Sequence, residues 1–218
     1  MSRILFKKEG RAKFISHLDL MRTMQRVFIR AGLEIWHTEG FNPHPYMNFA
    51  LPLSVGTESL CELMDFKLLG DMNMDQVPDR LNRTMPEGIT VLEAYEETRK
   101  FKEIKWLDIE GRLVYDKGGA DVASGALQTL FAGPDLVIEK KTKRGAAEVD
   151  IIPMIHHIDL APASAGELRL TARIAAQEPT LSPSQLMAAI EQKRPDYLPD
   201  FVSFKRIRLL DKDQKPFR

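Results

Sequence analysis

Residues 16–32 read Ser-His-Leu-Asp-Leu-Met-Arg-Thr-Met-Gln-Arg-Val-Phe-Ile-Arg-Ala-Gly, and this stretch decides the fold. Ser16 followed by Asp19 is close to the capping box that begins many helices, and Ala31-Gly32 is a typical helix end. Between these ends, apolar residues recur at helical spacing. The pattern predicts a helix whose inward residues are Leu18, Met21, Met24 or Gln25, Phe28 and Ala31.

The segments on either side of this helix predict the rest of a first domain. Alternating and continuous apolar runs indicate strands, and a second helical pattern lies between them. With the strands over 47–53 and 59–69 taken as the strand pair between the two helices, the order is β-α-β-β-α-β, which is typical of a ferredoxin-like domain that ends near residue 98. The predicted elements are a strand over 3–14 bent at Gly10, strands over 33–37, 47–53 and 59–69, a helix over 74–85 and a strand over 89–95.

The second half of the chain repeats this order. Its predicted elements are a strand over 105–115, a helix over 122–132, strands over 136–138 and 167–175 around a long insert (139–166), a helix over 182–192 and a strand over 201–209. A helix, a proline-containing loop and a strand close both halves in the same way. We therefore expect an α+β protein made of tandem ferredoxin-like units, with domains at residues 1–98 and 99–218.

Composition excludes several classes of protein. The 218 residues are 44% hydrophobic and 28% charged, as in an ordinary soluble globular protein. The one cysteine, Cys61, excludes a disulfide framework, a cysteine-rich zinc site and an iron–sulfur cluster ligated by this chain, and it fits a reducing cytoplasm. No stretch approaches the about 18 apolar residues of a membrane span. We expect a cytoplasmic protein with no membrane partner.

Charge is unevenly distributed along a chain that is neutral overall. Residues 1–30 carry eight basic and two acidic side chains, whereas residues 31–80 carry two basic and eight acidic ones. Arg22, Arg26 and Arg30 share one face of the predicted helix, and Lys143-Arg144 belongs to a basic run. These segments predict one basic surface that contacts phosphates, although patches that pair internally would give the same pattern.

The segment Gly-Phe-Asn-Pro-His-Pro at residues 40–45 is a candidate binding loop. Its two prolines fix an extended backbone around His44. Phe41 could stack on a nucleobase or pack in the core, and Asn42 could bond to a base edge or cap the local turn. His17 lies at the helix start, where backbone N–H groups favour an anion. We predict that the helix start and this loop meet in one site.

Three stretches resemble the family of radical-SAM-linked proteins, namely residues 14–22, residues 39–45, and Lys143-Arg144-Gly145 followed by residues 148–151. The resemblance implies a domain that is fused to, or encoded beside, a cobalamin-binding radical SAM protein, in a family with no assigned activity. It therefore implies a radical SAM protein as partner. The three closely spaced cysteines of a radical SAM enzyme are absent from this sequence, so another chain would perform the radical chemistry.

Three functions remain open at this point. The favoured one is a non-catalytic RNA-binding or substrate-presenting accessory protein that works with a radical SAM enzyme in RNA modification. The second is a metal-independent endoribonuclease with His17 or His44 as general acid or base. The third is a small-molecule or metal-binding accessory protein built around His17, His37 and His44, although these histidines lack metal-type spacing on one helix face.

The predicted binding residues come from the helix, the loop and the basic run. We predict no cofactor and no metal site, and we interpret His156-His157 as a structural pair with one side chain on each face of a strand. The predicted binding residues are Ser16, His17, Asp19, Arg22, Arg26, Phe41, Asn42, His44, Lys143 and Arg144.

Overall fold

The computed structural model describes residues 1–142 and 145–218. The chain divides into two compact units, Met1–Glu103 together with Arg218, and Ile104–Phe217. Each unit combines α-helices with an antiparallel sheet, which confirms the α+β class.

The first unit has four strands in the order β4-β1-β3-β2, and every neighbouring pair is antiparallel. The first strand therefore lies inside the sheet, between the third and the fourth. The elements in chain order are β1 (Ser2–Lys8), α1 (His17–Arg30), β2 (Met47–Phe49), β3 (Glu58–Phe66), α2 (Val77–Asn82) and β4 (Ile89–Glu96).

The predicted helix over residues 16–31 is confirmed, but its inward stripe differs from the prediction. Leu18 is 62% exposed. The helix instead buries Leu20, Met24 and Phe28, which lie at four-residue steps and therefore on one face. The Phe28 ring meets the Phe66 ring of β3 edge to face, with centroids 5.1 Å apart. This contact fixes the rotation of α1 on the sheet and leaves Leu18 in solvent.

Several predicted boundaries in this unit are wrong. Residues Gly10–Phe14 form a 3-10 helix rather than the end of the first strand. Residues 33–37 form no strand, because only Ile35 and His37 make isolated bridges, to Leu68 and Pro45. The predicted strands over 47–53 and 59–69 shorten to β2 and β3, and the predicted helix over 74–85 to a 3-10 turn (Met74–Gln76) followed by α2.

The second unit has the sheet order β10-β5-β9-β8, again antiparallel throughout. The predicted long insert over 139–166 is wrong, because it contains a complete strand of this sheet, β8, and the second strand of a separate hairpin, β6-β7. The elements are β5 (Trp106–Val114), α3 (Ala120–Phe131), β6 (Val137–Thr142), β7 (Gly145–Asp150), β8 (Ile155–Ser164), β9 (Glu167–Ala175), α4 (Pro183–Lys193) and β10 (Phe201–Leu210).

The outer strand of each sheet bonds to an amide side chain from a helix. On β4, the Asn82 side chain donates to the carbonyl of Val91 and accepts from its N–H, both at 2.9 Å. On β8, the Gln128 side chain accepts from the N–H of Leu160 at 3.2 Å and donates to the carbonyl of Ile158 at 3.4 Å. Each amide therefore bonds to the strand as a neighbouring peptide group would.

The β6-β7 hairpin is bonded to a helix by the same kind of side-chain amide. The side chain of Gln192, on α4, accepts from the N–H of Glu139 at 2.9 Å and donates to its carbonyl at 3.1 Å. Glu139 lies on β6, and its bonded groups are backbone groups. The hairpin is thereby attached to a helix of its own unit.

The helices are short by the standard of a membrane span. The longest of the amphipathic ones, α1, has 14 residues, and α2 has six. In the part of the chain that the structure describes, no helix has both the length and the apolar character needed to cross a bilayer.

Candidate functional site

The N-terminus of α1 is capped by side chains of its own first turn. Ser16 Oγ accepts a hydrogen bond from the N–H of Asp19 at 3.2 Å and donates to Asp19 Oδ2 at 2.7 Å. Asp19 Oδ1 in turn accepts from Arg22 Nη1 at 3.2 Å. The Ser16 hydroxyl lowers the pKa of Asp19 below its usual 3.8, with the nearby arginines adding to the effect. Ser16 and Asp19 thus cap the helix, and Arg22 is paired.

We expect Ser16→Ala to lower the free energy of unfolding by about 1 kcal/mol, because the helix loses its N-cap acceptor. Since the capped Asp19 has a lowered pKa, the part of the stability that comes from its charge is present above pH 3.8 and is lost as the pH falls through the folded-state pKa. Urea unfolding at neutral and acidic pH measures both effects. Ser16→Asn keeps a capping oxygen and is the control. If Ser16→Asn lowered the free energy of unfolding as much as Ser16→Ala does, the capping role would be contradicted.

His17 packs against the strand that leaves the candidate loop. Its ring meets the Phe49 ring edge to face at 5.3 Å and 87°. The side chain is half-buried, and among the described residues neither ring nitrogen forms a hydrogen bond. His17 therefore contributes packing between α1 and β2 and keeps two nitrogens for a ligand or solvent.

The loop at residues 38–46 is held by its own hydrogen bonds. Thr38 N–H donates to the His44 carbonyl at 2.9 Å, and His44 N–H donates to Thr38 Oγ1 at 3.2 Å. His44 Nδ1 lies 3.1 Å from the Asn42 carbonyl. Nδ1 also lies 3.1 Å from Thr38 Oγ1, so the loop's own contacts use Nδ1 and leave Nε2 outside them. Phe41, at the tip, is fully exposed.

A groove of about 380 Å³ joins this loop to α1. One wall is the C-terminal half of the helix, including Gln25 and Ile29, and the other includes His37 and Pro45 at the base of the loop. The loop therefore adjoins the C-terminal half of α1, whereas the helix start contacts Phe49. This differs from the predicted meeting of the loop with the helix start.

Two exposed arginines of α1 are next in sequence to residues of the groove wall, although neither lines the groove. Arg26 follows Gln25 and Arg30 follows Ile29 along α1, and both are exposed. Within residues 1–142 and 145–218, neither forms an ion pair or a hydrogen bond through its side chain. Their charges are therefore available to a partner, unlike that of Arg22.

The remaining predicted residues do not join this groove. Lys143 and Arg144 lie outside the described residues. The described residues contain no group of three histidine, cysteine, aspartate or glutamate side chains that could hold a metal ion, so His17, His37 and His44 do not form a metal site there. His37 Nδ1 instead lies 3.1 Å from the Ile35 carbonyl.

A second polar cluster, in the second unit, was not predicted from the sequence. The register places His157, Arg173, Asp108 and Arg208 directly opposite one another on four adjacent strands, β8, β9, β5 and β10. We call these four residues the cross-strand row. Its members come from distant parts of the chain, and the only local signal is the alternation of polar and apolar residues on β5.

The interpretation of His156-His157 as one inward and one outward side chain is wrong. A β-bulge between Ile155 and His157 breaks the strict alternation of β8. Both imidazoles are exposed and line the same pocket as the cross-strand row.

Comparison with known proteins identifies the family. Residues 2–186 match the family model described as "Uncharacterized protein conserved in bacteria (DUF2344)". The chain belongs to the DUF2344 family. No curated protein matches this DUF2344 chain.

Solved structures give a likeness of fold. A chain in the crystal structure of a Cbf5-Nop10-Gar1 complex is similar over 95% of the DUF2344 chain, with 8% identity and a TM-score of 0.53. The DUF2344 chain spans about half of that chain's length, at 48%. An unknown protein from Galdieria sulphuraria matches over 94% of this chain and 97% of its own, with 9% identity and a TM-score of 0.26. The first likeness shows the fold alone, and the second carries no argument.

Proposed function

We propose that this DUF2344 protein is a non-catalytic RNA-binding accessory protein that presents its RNA to a radical SAM enzyme for modification. The observation that carries the proposal is the groove between α1 and the loop, together with two exposed arginines that follow residues of its helical wall in sequence and a fully exposed aromatic ring at the tip of the loop. Single-stranded RNA is bound by this combination of cationic and aromatic side chains.

The arginines supply the phosphate contacts. Arg26 and Arg30 are four residues apart on α1, so they follow one another along a single helix face. Because their guanidinium groups are not neutralised within the described residues, a phosphate can displace their counterions without breaking an internal ion pair. Contacts of this kind fix the position of a strand and carry no sequence information.

The loop supplies the base contact. The Thr38–His44 hydrogen bonds and the Gly40-Phe41-Asn42-Pro43-His44-Pro45 backbone present Phe41 before any ligand arrives. A pre-organised loop loses little conformational entropy on binding. Asn42, whose side chain is exposed, and His44 Nε2 lie in the same loop and offer hydrogen bonds to a base edge.

The radical SAM partner follows from the resemblance of residues 14–22 and 39–45 to radical-SAM-linked proteins. The sequence contains one cysteine, Cys61, so the cluster ligands of the partner come from another chain. A reducing cytoplasm suits both a free cysteine and such a cluster.

The proposal extends to the fold. In each unit the first strand lies between the third and the fourth, and the second strand lies outside the third, when the β6-β7 hairpin is set aside. This order supports tandem ferredoxin-like domains, at residues 1–98 and 99–218, with the hairpin inserted into the second.

We expect Phe41→Ala to weaken binding of a fluorescein-labelled oligouridine of about 12 nucleotides by about tenfold, because one stacked base loses its platform. The double change Arg26→Gln and Arg30→Gln should lower the slope of log affinity against log salt by about 1.4. Fluorescence anisotropy at several salt concentrations measures both. Phe14→Ala and Arg83→Gln are the controls, since both side chains are exposed on the same unit and belong neither to α1 nor to the loop.

Three outcomes would contradict the proposal. Binding that is unaffected by Phe41→Ala would remove the loop from the interface. Equal losses in the control variants would indicate nonspecific attraction. Cleavage of the oligouridine, abolished by His17→Ala or His44→Ala, would indicate an endoribonuclease instead.

A further inference from the structure

The cross-strand row of the second unit forms the floor of a second pocket, of about 460 Å³. All four members of the row, His157, Arg173, Asp108 and Arg208, line it. Residues directly opposite on adjacent antiparallel strands project from the same face of a sheet, which explains why one pocket collects them.

Asp108 holds both arginines in place. Its carboxylate, 9% exposed as a residue, accepts from Arg173 Nε at 2.7 Å and Nη2 at 3.1 Å. The same carboxylate accepts from Arg208 Nε at 2.9 Å. Since two guanidinium groups share one carboxylate, the cluster keeps an unbalanced positive charge.

The C-terminal turn adds a further constraint on Arg173. Gln214 Oε1 accepts from Arg173 Nη1, so the Gln214 amide nitrogen donates to His156 Nε2, 2.8 Å away. His156 must accept at Nε2, which puts its proton on Nδ1. Gln214 adopts a left-handed backbone (φ 61°) in a turn that Asp211 Oδ1 closes by accepting from the N–H of Lys215 at 2.9 Å. The turn therefore fixes Arg173 from the side opposite Asp108.

The remaining polar groups of the pocket are mostly donors. The Arg208 side chain is 59% exposed, and its Nη1 is not used by Asp108. Thr171 adds a hydroxyl to the lining. Glu110 also lines the pocket and adds one carboxylate, and Lys205 lies directly opposite it on β10. The pocket thus offers the outer, Nη1 end of the Arg208 guanidinium, a hydroxyl and two imidazoles to an anion.

We propose that this pocket binds a phosphate group. The planar fork of arginine matches the oxygens of phosphate, and Asp108 holds the Arg208 guanidinium in position before the ligand arrives. The proposal goes beyond the RNA groove of the first unit and shares no residue with it. Free phosphate or a monoester and the phosphodiester of a nucleic acid are two sources of this one chemistry.

The test is calorimetric titration of the full chain with inorganic phosphate and, separately, with dimethyl phosphate, in chloride buffer of constant ionic strength. We expect saturable binding of one probe in about the millimolar range, and the probe that binds identifies the source. Arg208→Gln should weaken that binding about tenfold, because a charge-assisted bond is lost, while Arg173 still pairs with Asp108. Arg208→Lys keeps the charge without the planar fork, so its affinity for the probe should lie between those of the wild type and Arg208→Gln.

Arg169→Gln is the matched control, because Arg169 lies exposed on β9, outside the pocket lining. Imidazole resonances of His156 and His157 should shift with the bound probe in the wild type and not in Arg208→Gln. The proposal is overturned if neither probe saturates below about 50 mM, or if Arg169→Gln weakens binding as much as Arg208→Gln does. Loss of RNA binding through Phe41→Ala leaves this result unaffected.

Discussion

Replacing Arg3 by methionine is expected to lower the free energy of unfolding by about 3–5 kcal/mol, because the change leaves a buried carboxylate without its partner. Arg3 is fully buried, and its Nε and Nη2 bond to the two oxygens of Asp65 at 2.6 and 3.1 Å. The guanidinium also donates to the Arg99 carbonyl at 2.8 Å and lies over the Phe101 ring at 4.3 Å. One side chain thus connects β1 to β3 and to the end of the first unit.

The pH dependence of this variant follows from Asp65. Burial raises the pKa of Asp65 above its usual 3.8, while Arg3 opposes the rise, so removing Arg3 raises the folded-state pKa further. The folded variant then binds more protons than the unfolded chain, and its stability falls as the pH rises from 3.8 through the folded-state pKa. Urea unfolding from pH 4 to 7 measures the trend. Adding Asp65→Asn should restore part of the loss, and no restoration would contradict the charge argument.

Gly88→Ala is expected to lower the free energy of unfolding by about 2–4 kcal/mol, through positive φ and overpacking together. Gly88 has a φ of 84°, and a Cβ there would lie 2.5 Å from the Glu9 carbonyl oxygen and 2.9 Å from Ala12 Cβ. The Glu9 oxygen cannot retreat easily, since the neighbouring N–H of Glu9 donates to the Gly88 carbonyl at 2.8 Å. The chain segments before α1 and before β4 are therefore locked together at this glycine.

Gly70→Ala is the matched control for Gly88→Ala. Gly70 has nearly the same φ, 83°, but nothing lies within 4 Å of a Cβ built on it. It should therefore show only the backbone cost, about 1 kcal/mol. Thermal and urea unfolding of the two variants side by side separate strain from crowding. Equal losses of stability in the two variants would show that the Glu9 carbonyl moves away from the added methyl group at no cost in free energy.

The sequence predicted elements best where the signal was local. Ser16, Asp19 and the spacing of residues 20–28 were enough to place α1, because capping and helical periodicity involve neighbours in the chain. The inward stripe was misplaced by two residues at its start, since Leu18 and Leu20 are equally apolar. Only the packing of Phe28 on Phe66 determines which of them is buried.

Errors arose where a structure depends on partners far along the chain. Residues 33–37 have the apolar content of a strand, but only Ile35 and His37 find bridging partners. Strand β8 was missed because a β-bulge at His157 interrupts its alternation. The alternation of apolar and polar residues from His157 to Leu160 is the sequence signal that could have revealed the strand, and Ile158 and Leu160 are indeed its buried residues.

The candidate sites show the same limit. The loop at residues 40–45 was predicted from its own prolines. Its position against Gln25 and Ile29 depends instead on the pairing of β2 with β3, which determines where the loop lies relative to α1. The cross-strand row could not be predicted, because strand register decides which residues face one another. A shift of one residue would turn every side chain of a strand to the other face.

The amide pairs on the outer strands bear on how the protein behaves at high concentration. An uncovered strand edge is a template on which a second chain can add a strand, which leads to aggregation or domain exchange. Asn82 occupies both backbone groups of Val91, and Gln192 occupies both of Glu139. Gln128 does the same on β8, divided between two residues. Single side chains from neighbouring helices therefore block intermolecular strand addition at three places, without a further strand.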